Sequence, residues 1–196
     1  TIRILNVLAV PWLHIKLGVV NHVLTKMVNA KSNEWPKSLH LHEEKYFGSG
    51  YEGNECKVLL KNLDRLEDIL QLHEKLEEGD KFVKVFKSFR NLTVEYGKPN
   101  VNVPALKEEV ATFGQLWKKC GLNYIPKVHI ILRHLVDFVE LHCCQNMHLY
   151  SEEAHESLHA EFDKTWMKYN VKEKSNPIYK DRLLKCVLDF NGCHAK

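Results

Sequence analysis

A chain of 196 residues with 44% hydrophobic content can bury a core of its own without a disulfide or metal staple. Its formal charge of +3 excludes the strongly basic class of protein that announces nucleic acid by charge alone. The six cysteines, Cys56, Cys120, Cys143, Cys144, Cys186 and Cys193, fall in no regular frame and are expected to be reduced thiols of an intracellular protein, which leaves the sequon Asn91-Leu92-Thr93 idle. Twelve histidines are the unusual feature of the composition and raise the prior for a metal or proton-transfer site without locating one.

The opening run Ile2 to Val10 is interrupted by Arg3 and Asn6 and closed by Pro11, so it predicts one β-branched strand rather than a signal peptide or a membrane span. Its partner strands would come from elsewhere, and the chain is therefore expected to be the carboxy-terminal piece of a longer protein. Leu17, Val20, Val23, Leu24 and Met27 predict a first helix over His14 to Ala30, with Gly18 marking a close approach. Lys31 to Asn54 has no sustained period and is expected to be a long loop whose aromatics, Trp35, Tyr46, Phe47 and Tyr51, dock on the core. Cys56, Leu59, Leu63, Leu66 and Leu70 predict a helix ended by Gly79. Asp80 is expected to cap the next, which turns Phe82, Val85, Phe86 and Phe89 one way and Lys81, Lys84, Lys87 and Arg90 the other.

Pro104 sits in the first turn of a helix carrying Leu106, Val110, Phe113 and Trp117. After a turn over Gly121 to Pro126, Val128, Ile131, Leu132, Leu135, Phe138 and Val139 predict one helix from Lys127 to Cys143. Ser151 caps a further helix with the stripe Leu158, Phe162, Trp166 and Tyr169, and Asn176-Pro177 opens the last, expected to bury Leu183, Leu184, Val187 and Leu188 before Gly192. The resulting fold is mainly α, a single helical domain over residues 1–196 with about seven helices and one N-terminal strand.

Four groups of residues have chemistry-bearing spacing. On the helix after Ser151, Glu152, Glu156 and Asp163 share a narrow arc, although Glu152 and Glu153 also suit the helix N-terminus by charge alone. His155-Glu156-x-x-His159 matches the zinc-peptidase pattern HExxH, in which two imidazoles one turn apart hold zinc and the glutamate activates water. Its context argues against that use: no strands shelter the helix, and Phe162 stands where the extended motif has Gly. His142, Cys143, Cys144 and His148, with Cys186, Cys193 or His194, supply nitrogen and sulfur ligands at irregular spacing, better suited to buried thiols than to one tetrahedral ion. The fourth is the basic half of the helix after Asp80, Lys81, Lys84, Lys87 and Arg90, which either tracks phosphates or is a solvated face.

The segment Pro11-Trp12-Leu13-His14-Ile15-Lys16-Leu17-Gly18-Val19-Val20-Asn21-His22 resembles a pattern, roughly P-x-L-H-x-x-L-G-x-V-N, in open reading frames of animal transposable elements. Tyr51 to Leu60, Pro126-Lys127-Val128-His129, Ser151-Glu152 with Glu156-Ser157-x-His159, and Asn176-Pro177 with Asp189-Phe190-Asn191 resemble further blocks of the same group, in order. The resemblance implies the carboxy-terminal part of a DDE-type transposase-like protein, nuclear and DNA-binding, with an RNase H-like core interrupted by a helical insertion. On that plan residues 1–10 are the last core strand, 12–145 the insertion-like region and 151–191 the C-terminal helices. The chemistry implied is two-metal phosphoryl transfer with Mg or Mn held by acids. Glu156 is the favoured acid, Glu152 the weaker candidate, and His159 a supporting group. Two aspartates would have to lie upstream, so the chain alone is expected to be inert. The alternatives are a non-catalytic helical interaction domain and, through His155, Glu156 and His159, a zinc peptidase.

Overall fold

The computed structural model describes residues 10–27, 34–42, 50–142, 147, 161–162, 164–169, 175 and 177–194. They are mainly α-helical: α1 (Trp12–Lys26), α2 (Glu34–Ser38), α3 (Gly53–Lys61), α4 (Leu63–Leu72), α5 (Leu76–Tyr96), α6 (Val103–Lys119), α7 (Pro126–Arg133), α8 (Leu135–Leu141) and α9 (Ile178–His194). Residues 161–162 and 164–169 are also helical. The strand expected over residues 1–9 lies outside the described residues. The chain divides into two compact units, Thr1–Ser151 and Glu152–Lys196.

In the first unit α5 and α6 form the main hairpin. The short connection between them is clasped by the buried Glu95 carboxylate, which accepts from the Asn102 N–H at 3.2 Å and pairs with Lys98. Asn102 then caps α6, its Oδ1 accepting from the Ala105 N–H at 3.1 Å, with Pro104 in the first turn as the sequence predicts. Helix α1 begins after an inverse γ-turn at Pro11, whose φ of −74° and ψ of 70° let the Trp12 N–H donate to Val10 at 2.7 Å. Trp12 then packs against Tyr96, with ring centres 4.2 Å apart, and against Phe89, which meets Phe113 and through it Trp117. One chain of aromatic rings thus joins α1, α5 and α6 within the hydrophobic core.

Several boundaries differ from the sequence expectation. The helix expected to run on to Gly79 is divided at Asn62 and stops at Leu72. At Asn62 the side-chain amide turns back to donate to Val58 at 2.8 Å, while its carbonyl accepts from the Trp35 indole at 3.1 Å. Glu74 then adopts φ 55°, and the Lys75 and Glu74 N–H groups donate to Leu70 and Gln71, a Schellman closure without its usual glycine. His40, at φ 56°, closes α2 in the same way, with His40 and Leu41 donating to Lys37 and Pro36. Gly121, at φ 73°, supplies the glycine form after α6.

Gly79 and Asp80, expected at a helix boundary, lie inside α5 instead. Gly79 is there for close packing: a Cβ at that position would stand 2.5 Å from Leu70 Cδ1, and Leu70 is fully buried. The expected helix from Lys127 to Cys143 is likewise broken, at His134, where φ is −128°. The loop expected over residues 31–54 contains α2, whose Trp35 is fully buried and meets Phe86 edge-on at 5.5 Å.

In the second unit the expected stripe packs on α9, with Phe162 against Phe190 at 5.2 Å and Trp166 against Tyr179 at 5.8 Å. These rings select a different face of α9 from the predicted one. Cys186 is buried and Val187 half-buried, while Leu183, Leu184 and Leu188 are exposed.

Candidate functional site

The acids and histidines of the HExxH segment, Glu152, His155, Glu156 and His159, lie outside the described residues, as do Cys143, Cys144 and His148. Of the irregular zinc shell, His142 packs its ring on Phe138 at 4.4 Å, and Cys186 is buried with its thiol pushed up by that burial and by Asp189. Among the described residues, no three His, Cys, Asp or Glu side chains are grouped to hold a metal ion.

The cationic row of α5 is placed as its helical period requires. Lys81 and Lys84 are exposed, while Lys87 and Arg90 are half-buried at the edge of the row. Lys84 pairs with Asp80 one turn back at 2.5 Å, and Lys87 reaches Glu67 on α4 at 2.7 Å. Lys81 lies over the Phe82 ring, 5.1 Å from its centre, and close enough to the buried Cys120 at the end of α6 to oppose the burial that raises that thiol. Four cations thus stand with two carboxylates. Exposed ion pairs of this kind are worth about 0–1 kcal/mol.

Three segments, Pro11–His22, Tyr51–Leu60 and Pro126–His129, meet around α1. Asn21 holds Tyr51 by two hydrogen bonds, donating to its carbonyl at 3.0 Å and accepting from its N–H at 2.8 Å. A Cβ at Gly53 would stand 2.7 Å from Leu13 Cδ1, and the Lys127 stem crosses directly over Gly18, which is the close approach the sequence predicts there. His22 stacks on Trp117 with ring centres 5.6 Å apart. Its Nε2 is buried with no hydrogen-bond partner among the described residues, and burial, helped by Lys26, lowers its pKa. His22 is a packing ring held neutral, and the sequence offers no signal that separates it from a ligand histidine.

Cys56 sits below the same junction, fully buried, its thiol donating to the Tyr51 carbonyl at 3.4 Å. Burial, reinforced by Glu55 and opposed by Lys16, pushes its pKa from 9.0 up to about 12. A raised folded-state value makes its contribution to stability complete below the unfolded pKa and lost as pH rises through the folded one. Between pH 9 and about 12, wild-type protein is expected to lose more stability than a Cys56→Ser variant, which keeps the donor without titrating. Denaturation midpoints of the two across that window test this, and parallel curves would show that Cys56 ionises freely.

A shallow cleft of about 370 Å³ opens between α6 and α7–α8, floored by Ala111 and Gly114 and flanked by Lys107, Arg133 and Asp137. Lys107 is tied across to Glu140 at 2.8 Å. His129 and His134, with Tyr124 against the first at 6.0 Å, form a separate cluster on α7 and its break. Among the described residues no helix is long and apolar enough to cross a membrane. Comparison with protein-family models, with curated proteins and with solved structures gave no match.

Proposed function

We propose that this chain is the helical part of a transposase-like protein of the nucleus, in which residues 12–145 form an inserted domain and the chain's own contribution is to hold DNA. The observation that carries this reading is the division between Ser151 and Glu152. It falls where the insertion would end and the returning helices begin. The meeting of Pro11–His22, Tyr51–Leu60 and Pro126–His129 around α1 supports it further, because blocks far apart in the chain then serve one structural unit. Glu156 remains the proposed acid of the parent protein, with Glu152 and His159 behind it.

The row Lys81, Lys84, Lys87 and Arg90 is the proposed phosphate contact. Pairing of Lys84 and Lys87 with Asp80 and Glu67 favours a second reading, a helical interaction domain with a solvated face. Fluorescence anisotropy with a short labelled duplex separates the two. DNA holding requires affinity that falls with salt, and Lys81→Glu with Arg90→Glu should lower the slope of log K against log salt by about 2, at roughly 0.9 for each lost phosphate contact. Absence of salt-dependent binding, or a slope unchanged by the double reversal, would leave the interaction-domain reading.

A further inference from the structure

We infer that His129 and His134 are the two protein nitrogens of a solvent-open site for a divalent transition-metal ion. The two residues are five apart in sequence, a spacing that places side chains on different faces of a continuous helix. The break between α7 and α8 changes that. With φ of −128° at His134, its ring swings back over the last turn of α7, and the two Nε2 atoms come to 3.2 Å.

Two imidazole nitrogens bound to one tetrahedral ion at about 2.0–2.1 Å each stand about 3.3–3.4 Å apart, so the pair is close to ligating separation before any ion arrives. The ring orientation agrees. A collinear N–H···N hydrogen bond at the same separation would hold the ring centres on the order of 5.5 Å apart. They are 5.1 Å apart with planes at 69°, so the rings are bent away from one line through the two nitrogens, as two rings that share one ion beside that line must be.

His129 is exposed and His134 half-buried, so an ion reaches that point from solvent without any opening of the core. Tyr124, edge-on to His129 at 80°, limits the swing of that ring. The Lys and Arg side chains nearest in sequence, Lys127 and Arg133, are not in the pair: the Lys127 stem runs over Gly18 on α1 and Arg133 flanks the α6 cleft. Imidazole donors select Zn, Cu and Ni over Mg or Ca, and two nitrogens leave the remaining coordination positions to water. The site is independent of the α5 cations and of the DNA reading.

Because the chain has twelve histidines, the test compares variants rather than totals. Full-length protein is titrated with Zn²⁺ by calorimetry alongside His129→Gln, His134→Gln, the double variant and His42→Gln as a control remote from the pair. One binding event is expected in wild type and His42→Gln. It should weaken at least about tenfold in either single variant, and no further in the double, since either loss dissolves the same site. With substoichiometric Cu²⁺, electron paramagnetic resonance should resolve coupling to two nitrogens in wild type and not in His129→Gln, whose exposed position leaves the fold intact. Unchanged Zn²⁺ affinity in either single variant, additive losses in the double, or a two-nitrogen copper signal that survives His129→Gln would overturn the assignment.

Discussion

Replacing Trp12 with alanine is expected to lower the unfolding free energy of the first unit by about 3–5 kcal/mol, the range for truncating a buried large aromatic. Trp12 is 1% exposed and is the contact by which α1 grips α5, meeting Tyr96 at 4.2 Å and Phe89 at 6.3 Å. Its removal opens a cavity at the start of the aromatic chain that continues through Phe113 to Trp117. Those rings belong to α5 and α6, which are fixed by their own hairpin and cannot collapse into the gap. The loss should appear as a shifted urea midpoint with an unchanged slope, since the surface exposed on unfolding stays nearly constant. A Trp12→Phe variant keeps part of the ring contact and should lie between. A midpoint shift for Trp12→Ala worth less than about 1 kcal/mol would mean that α1 is not anchored through this ring.

Trp35 provides the second large effect, and two substitutions separate its parts. Trp35→Ala removes a fully buried ring that meets Phe86 edge-on, with an expected cost of about 3–5 kcal/mol. Trp35→Phe keeps much of that apolar contact but deletes the indole N–H that donates to the Asn62 carbonyl at 3.1 Å. Its additional cost should be about 1–3 kcal/mol, the penalty for leaving a partly buried acceptor without its donor. Hydrogen exchange across residues 58–66 gives a local reading, since the Asn62 junction should open more often in both variants. Equal stability of Trp35→Phe and wild type would show that water already satisfies that carbonyl.

Trp35 also illustrates where reading the chain stops. Residues 31–54 show no helical period because α2 is only five residues long, too short for periodicity to emerge, and its proline lies inside it. What makes α2 is the pocket that receives Trp35, together with the left-handed closure at His40 and the bond from His73 to Glu34 at 2.5 Å. Those partners lie 27 and 39 positions away in the chain.

The long amphipathic helices were legible from local pattern. The 3.6-residue period of Phe82, Val85, Phe86 and Phe89, and of Leu106, Val110, Phe113 and Trp117, specifies a buried face whatever that face meets, and these positions are buried. Pro104 and Pro126 mark helix starts because proline's fixed φ and missing N–H suit the first turn. Helix stops were less legible than helix faces. Glu74 and His40 occupy left-handed closures that glycine usually fills, while Gly79 sits mid-helix to admit Leu70.

The sequence by itself therefore determined the helical class, the inward faces of α5 and α6 and the cationic row of α5, because each is fixed by neighbours within a turn or two. Tertiary structure alone decided that Lys87 is met by Glu67 of α4, that Asn21 reaches Tyr51, that the Leu184 and Leu188 side of α9 is exposed, and that the Nε2 atoms of His129 and His134 come to 3.2 Å. Each of these depends on a helix break or a crossing between segments, whose energy comes from contacts made only once distant parts of the chain have come together.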